Sequence, residues 1–133
     1  ATSICPVDQH SQLQMWLDGP DNLFYTIILP KKRKNDYKLN SSKNFLPAHL
    51  NKKKLGQILN TMALATYKEL VKAGRPVRIV YLDDDGLYPA IKLMSYLMLE
   101  VTLLGKYLGV NPFDQPAVER VKILTKKLLI KNA

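Results

Sequence analysis

Between two runs of β-branched, aromatic and aliphatic residues, 23–29 and 77–82, the chain carries apolar side chains at Leu55, Ile58, Leu59, Met62, Ala63, Thr66, Leu70 and Val71. That spacing follows the 3.6-residue period of one helix face, and Gly74 followed by Pro76 closes it. A helix set between two strands argues against an all-helical or all-β domain and predicts α/β class. Residues 23–29 show no polar alternation, which predicts a strand buried on both faces.

The remaining pattern fits around this unit. Residues 8–17 read as a short helix with Asp8 as its cap, ended by Asp18-Gly19-Pro20-Asp21. Residues 30–46 are a polar, basic loop without periodicity. Asp83-Asp84-Asp85-Gly86 turns the chain into a helix over 87–108 that is apolar nearly all round, interrupted by Lys92, Glu100 and Lys106. Its length would suit a membrane span, but its internal charges and the early Pro89 favour a helix buried in protein. The order is helix, strand, helix, strand, helix, helix, with few strands for a complete sheet.

At 133 residues, with 47% apolar and 23% charged residues, the chain has the composition of one folded soluble domain. Cys5 is the sole cysteine and cannot form an intrachain disulfide, which fits a reducing cytoplasm. The net charge of +9 suggests nucleic acid until it is divided along the chain. Residues 30–54 hold nine Lys or Arg and one acid, Asp36, so nearly all the excess belongs to one segment. Tyr37 and Phe45 are its interleaved aromatics, too few for a base-stacking platform. A solvated loop is the better reading, and a basic nucleic-acid-binding or non-catalytic interaction module using 30–54 is the alternative.

The most specific stretch lies near the C-terminal end. Phe113-Asp114-Gln115-Pro116-Ala117-Val118-Glu119-Arg120-Val121-Lys122 opens a helix over about 115–131: Asp114 or Gln115 suits its entry, and Pro116 its first turn. Gln115 and Lys122 are seven residues apart and project from nearly the same face, about 10 Å apart along the axis. Val118, Val121, Thr125, Leu128 and Leu129 form an apolar stripe, with Lys122 at its edge.

With the preceding Gly105-Lys106-Tyr107-Leu108-Gly109-Val110-Asn111-Pro112, this run resembles the C-terminal signature of the glucose-6-phosphate isomerases, with Ala117 where the family usually carries Gly. Val7-Asp8-Gln9-His10-Ser11-Gln12-Leu13-Gln14, followed by Asp18-Gly19-Pro20, is similar to the segment carrying that family's catalytic histidine. The resemblance implies the C-terminal portion of the second domain of sugar-isomerase (SIS) type, a three-layer α/β fold with a C-terminal helix. It implies interconversion of glucose 6-phosphate and fructose 6-phosphate, without metal or organic cofactor, by a cytoplasmic homodimer. His10 and Lys122 would then assist ring opening, His10 in the site of the neighbouring subunit, and Gln115 would contact substrate near its phosphate. The family's glutamate base and Ser/Thr phosphate loop precede the histidine motif and have no counterpart in these residues, so the chain reads as a fragment, inactive alone.

Other residues read more plainly. Glu119 supports the helix N-terminus through the macrodipole. Asp83-Asp84-Asp85-Gly86 lacks calcium-loop spacing, with Met94 where a bidentate Glu is required, and is a turn and helix cap. Cys5 with His10, or Ser11 as a nucleophile, lacks a third orienting group. His49 is structural.

Overall fold

A computed structural model describes residues 2–40 and 47–131. Ser41, Ser42, Lys43 and Phe45 of the basic segment lie outside the described residues. The elements are α1 (Val7–Asp18), β1 (Tyr25–Pro30), α2 (Leu55–Lys72), β2 (Val77–Leu82), α3 (Leu87–Tyr107) and α4 (Pro116–Lys131), a mixed α/β arrangement. The chain divides into two compact units, Ala1–Ala90 and Ile91–Ala133.

The first unit is the strand–helix–strand arrangement that the apolar periodicity predicts. β1 and β2 pair in parallel, Tyr25 opposite Val77 through Pro30 opposite Leu82, with α2 as the crossover. The core is small: Leu29 from β1 and Ala63, Thr66 and Leu70 from α2. β1 differs from its expected burial, since Leu29 is buried but Ile28 is 44% exposed. The cause is the two-stranded sheet, which α2 covers without enclosing both faces. Leu23 and Phe24 stay outside the strand because its register begins at Tyr25; Phe24 instead lies beneath the Arg78 guanidinium, 5.3 Å from ring centroid to Cζ.

α2 ends as Gly74 and Pro76 predict. Gly74 takes φ +73°, its N–H donates to Val71 O and the Arg75 N–H donates to Leu70 O, a Schellman closure. Because Leu70 is 1% exposed, this closure ties the backbone of Arg75 to the most buried residue of the unit.

The basic segment is less of a free loop than its composition suggests. Asp36 Oδ1 accepts the Gly56 N–H at 2.7 Å, satisfying one of the free donors at the start of α2. Arg33 Nη2 donates to Asn60 Oδ1 at 3.0 Å, and Asn60 Nδ2 donates to Pro30 O at 2.9 Å. The Arg33 side chain lies so close over Gly56 that a Cβ there would collide with it. Arg33→Ala is therefore expected to destabilise the chain by about 1–2 kcal/mol through its lost hydrogen bond and packing. Lys32→Ala, at an exposed position, should stay within about 0.5 kcal/mol of the parent. Urea denaturation of the two variants separates them; equal midpoints would return Arg33 to the solvated loop.

In the second unit, α3 closes by the same device as α2. Gly109 takes φ +68°, its N–H donates to Lys106 O, and the Val110 N–H donates to Gly105 O. The chain then doubles back over Gly105, where an added Cβ would stand 3.0 Å from Pro112 Cβ and 3.1 Å from Val110 O. The small residue at 105 and the glycine at 109 are thus both required by the turn that leads to α4. α3 departs from the expectation of burial, with Pro89 its buried residue. It is long and apolar enough to cross a membrane by length and composition.

Candidate functional site

His10 sits in the first half of α1, a helix with no buried residue. Its half-buried face is Gln9, Gln12, Leu13, Trp16 and Leu17, one helical stripe, and His10 lies on the exposed flank. Polar contacts hold that stripe in place. Gln9 Nε2 donates to Thr66 Oγ1, the Tyr25 hydroxyl donates to Trp16 O at 3.3 Å, and the rings of Trp16 and Tyr25 stand 5.9 Å apart. Thr66 itself donates to Met62 O at 3.1 Å, so a buried hydroxyl is used twice. Asp8 is not the cap that its place in the sequence suggests. Pro6 occupies the cap position, and Asp8, one residue into the helix, accepts the Ile4 N–H at 2.6 Å.

The neighbours of His10 hold no competing nucleophile. Ser11 Oγ donates to Asp8 O at 3.0 Å, turned back on its own helix. Cys5 is exposed, yet desolvation by adjacent protein, and secondarily the Asp8 carboxylate, push its thiol pKa up and disfavour the thiolate.

Gln115 and Lys122 belong to the second unit. Asn111 Oδ1 accepts the Phe113 N–H at 3.0 Å, shaping the turn before the helix. The Gln115 carbonyl accepts from Val118 N–H at 3.0 Å and Glu119 N–H at 3.3 Å, so Gln115 is the entry residue and Pro116 the first helical one. Lys122 lies two turns on and is more open than a stripe-edge lysine was expected to be, with its side chain 66% exposed. Its ammonium is 2.6 Å from Glu119 Oε1, one turn earlier. Glu119 therefore has a partner besides the helix dipole: it forms a surface ion pair with Lys122. Sequence reasoning missed this pairing, although i, i+3 spacing was its available signal.

The first unit holds two further polar groups. A cleft of about 310 Å³ at the carboxyl end of β1 is lined by Lys31, Arg33, Asp36, Gln57 and Asn60 among others. Its arginine and carboxylate are already engaged, by Asn60 and by Gly56 N–H. In the acidic turn, Asp83 lies 3.9 Å from Lys31 Nζ, Asp84 accepts the Gly86 N–H at 2.7 Å and Asp85 accepts the Lys34 N–H at 3.0 Å. Each carboxylate has a structural partner, as a turn and helix-entry role requires.

No protein-family model matches the chain. Individual relatives do. The chain is 36% identical over 125 residues to a glucose-6-phosphate isomerase of Thermus thermophilus, covering 93% of this chain and 30% of that protein. It is 34% identical over 123 residues to the enzyme of Campylobacter jejuni, covering 92% of this chain and 30% of the relative. For the enzyme of Rubrobacter xylanophilus the values are 32% over 120 residues, 89% and 28%. Among solved structures, a hypothetical protein from Thermus thermophilus superimposes with a TM-score of 0.88 at 34% identity, over 96% of this chain and 31% of that one. Over about nine-tenths of its length, then, this chain is homologous to a stretch that makes up some 30% of the glucose-6-phosphate isomerases it matches.

Proposed function

We propose that this chain is the C-terminal part of a glucose-6-phosphate isomerase, comprising the last portion of its second SIS-type domain and the terminal helix, and that it supplies the groups that open the sugar ring. The observation that carries this reading is homology along nearly the whole chain to proteins of that one activity. The structural logic of the motifs supports it. Gly105, Gly109 and Asn111 build the turn that sets the start of α4, with Gln115 at its entry and Lys122 two turns on.

Ring opening requires one proton delivered to the ring oxygen and one removed from the C1 hydroxyl. His10 and Lys122 are the groups assigned to these transfers, Lys122 being held by Glu119. The Gln115 amide, able to donate and accept, contacts the substrate near its phosphate. Aldose–ketose conversion then moves a proton from C2 to C1 through an enediol, a step that needs a positioned carboxylate. In this reading that carboxylate and the phosphate-binding loop belong to the part of the protein upstream of the histidine motif. The working enzyme is a cytoplasmic homodimer in which His10 completes the neighbouring subunit's site, and its substrates are glucose 6-phosphate and fructose 6-phosphate.

The full-length protein containing this chain should interconvert the two hexose phosphates in a coupled assay with chelator present, and the 133-residue chain alone should not. A full-length protein without turnover would remove the reading. The rival, a nucleic-acid-binding module acting through 30–54, would gain if the chain bound nucleic acid tightly at physiological salt and discriminated among sequences, since purely phosphate-directed binding is weak and falls steeply with salt.

A further inference from the structure

We propose that Arg75 is the positioning residue for His10: it clamps the C-terminal end of α1 and so fixes the helix on which the histidine stands. The inference rests on the reading of His10 as an acid–base group, but the clamp itself is a matter of geometry.

α1 is an unusual carrier for a group that must be placed accurately. It buries no residue, so the apolar packing that normally holds a surface helix is slight. It also has no basic side chain in its last turn to meet the free carbonyls and the negative end of the helix dipole. Arg75 provides what the helix lacks, from more than fifty residues further along the chain. Its Nη2 donates to Leu17 O at 2.8 Å and to Gly19 O at 2.6 Å, and its Nη1 stands 3.2 Å from Asp21 Oδ1. The side chain is 10% exposed. One planar guanidinium therefore gathers the last turn of α1, its terminating glycine and the acid that follows, a geometry a single ammonium cannot reproduce.

The other end of the clamp is equally fixed. The Schellman closure of α2 holds the Arg75 backbone through its N–H to Leu70 O, and Leu70 is the centre of the core. A continuous path thus runs from the core, through the end of α2 and the guanidinium, to the end of α1. Arg75 Nε is buried and has no partner among the described residues, an unfavourable feature that the bonds to α1 and Asp21 must offset. At the opposite end of α1, Gln9 rests on Thr66 beside His10. Together with the Tyr25 hydroxyl on Trp16 O, these contacts tie the helix at both ends, and the clamp supplies donors to the Leu17 and Gly19 carbonyls, which the half-buried Trp16 and Leu17 side chains cannot satisfy.

The test uses amide hydrogen exchange on the 133-residue chain, read separately over α1, α2 and the strands. Arg75→Gln should raise exchange across α1 about 10- to 100-fold, the loss expected when charge-assisted hydrogen bonds to a helix end are removed, while α2, β1 and β2 keep their protection. Arg75→Lys, which keeps the charge and loses the fork, should fall between Gln and the parent. The His10 backbone amide resonance should move toward its unstructured value in Arg75→Gln and stay in place in Lys68→Gln, an exposed α2 control. Unchanged α1 exchange, or an equal rise in every element, would overturn the proposal. If Arg75→Gln does not fold, Asp21→Asn leaves the guanidinium in place, removes its anionic partner and should give a smaller rise confined to α1; no rise there would also overturn it. In the full-length isomerase, Arg75→Lys should lower kcat with KM retained. The two readings fail separately: a His10→Ala enzyme with full turnover would dismiss the catalytic role and leave the exchange result standing.

Discussion

If His10 has the proposed role, replacing it by alanine in the full-length protein is expected to lower turnover on the cyclic sugar phosphate by about 10²- to 10⁴-fold, the usual contribution of a positioned acid–base group. On an open-chain substrate the loss should be much smaller, because the proposed role confines this residue to ring opening. Lys122→Ala should show the same asymmetry. Neither change should disturb the fold: His10 is exposed, α1 buries nothing, and the Lys122–Glu119 pair is a surface ion pair worth about 0–1 kcal/mol. Comparing kcat for the two substrate forms decides the matter, and equal losses would move both residues to another step.

The second large effect belongs to stability. Leu70→Ala removes the most buried side chain from a core that holds little else, Leu29, Ala63 and the Thr66 hydroxyl being its other buried members. A cost of about 2–5 kcal/mol is ordinary for such a truncation. Against the total stability of about 5–15 kcal/mol typical of a domain, that is a large share. The melting temperature of the 133-residue chain should fall by about 8 °C or more, since each kcal/mol shifts a unit of this size by several degrees. A shift under about 3 °C by circular dichroism would show that Leu70 does not anchor the fold.

Local pattern predicted the elements well and their surroundings poorly. α2 begins at Leu55 and β2 spans Val77–Leu82, as periodicity and β-propensity required, because each is framed by strong punctuation in Gly74, Pro76 and the acidic turn. The entry of α4 at Gln115 and Pro116 was legible for the same reason. Burial was not. An apolar helix such as α3 announces that it prefers cover, but the cover is another surface, and no pattern within the helix supplies it. The long-range polar contacts were equally hidden. Asp36 in front of α2, Arg33 against Asn60 and Arg75 at the end of α1 all look like loop charges in one dimension, and their partners are chosen by a crossover that brings distant carbonyls and amides together. The candidate site divides the same way: His10, Gln115 and Lys122 stand out through their motifs, whereas the groups that hold them do not.

The parallel register of β1 and β2 has a consequence for cooperativity. Tyr25 faces Val77, and every later pair keeps that offset, so no strand contact is local in sequence. Closing such a long loop costs about 3–4 kcal/mol of chain entropy before any ladder bond forms. Among the described residues neither strand has a second neighbour to hold it when the first lets go. Strand pairing therefore depends on the α2 crossover, and in the first unit α1 with its histidine, the helix that buries no residue, is the element whose opening would leave the ladder intact.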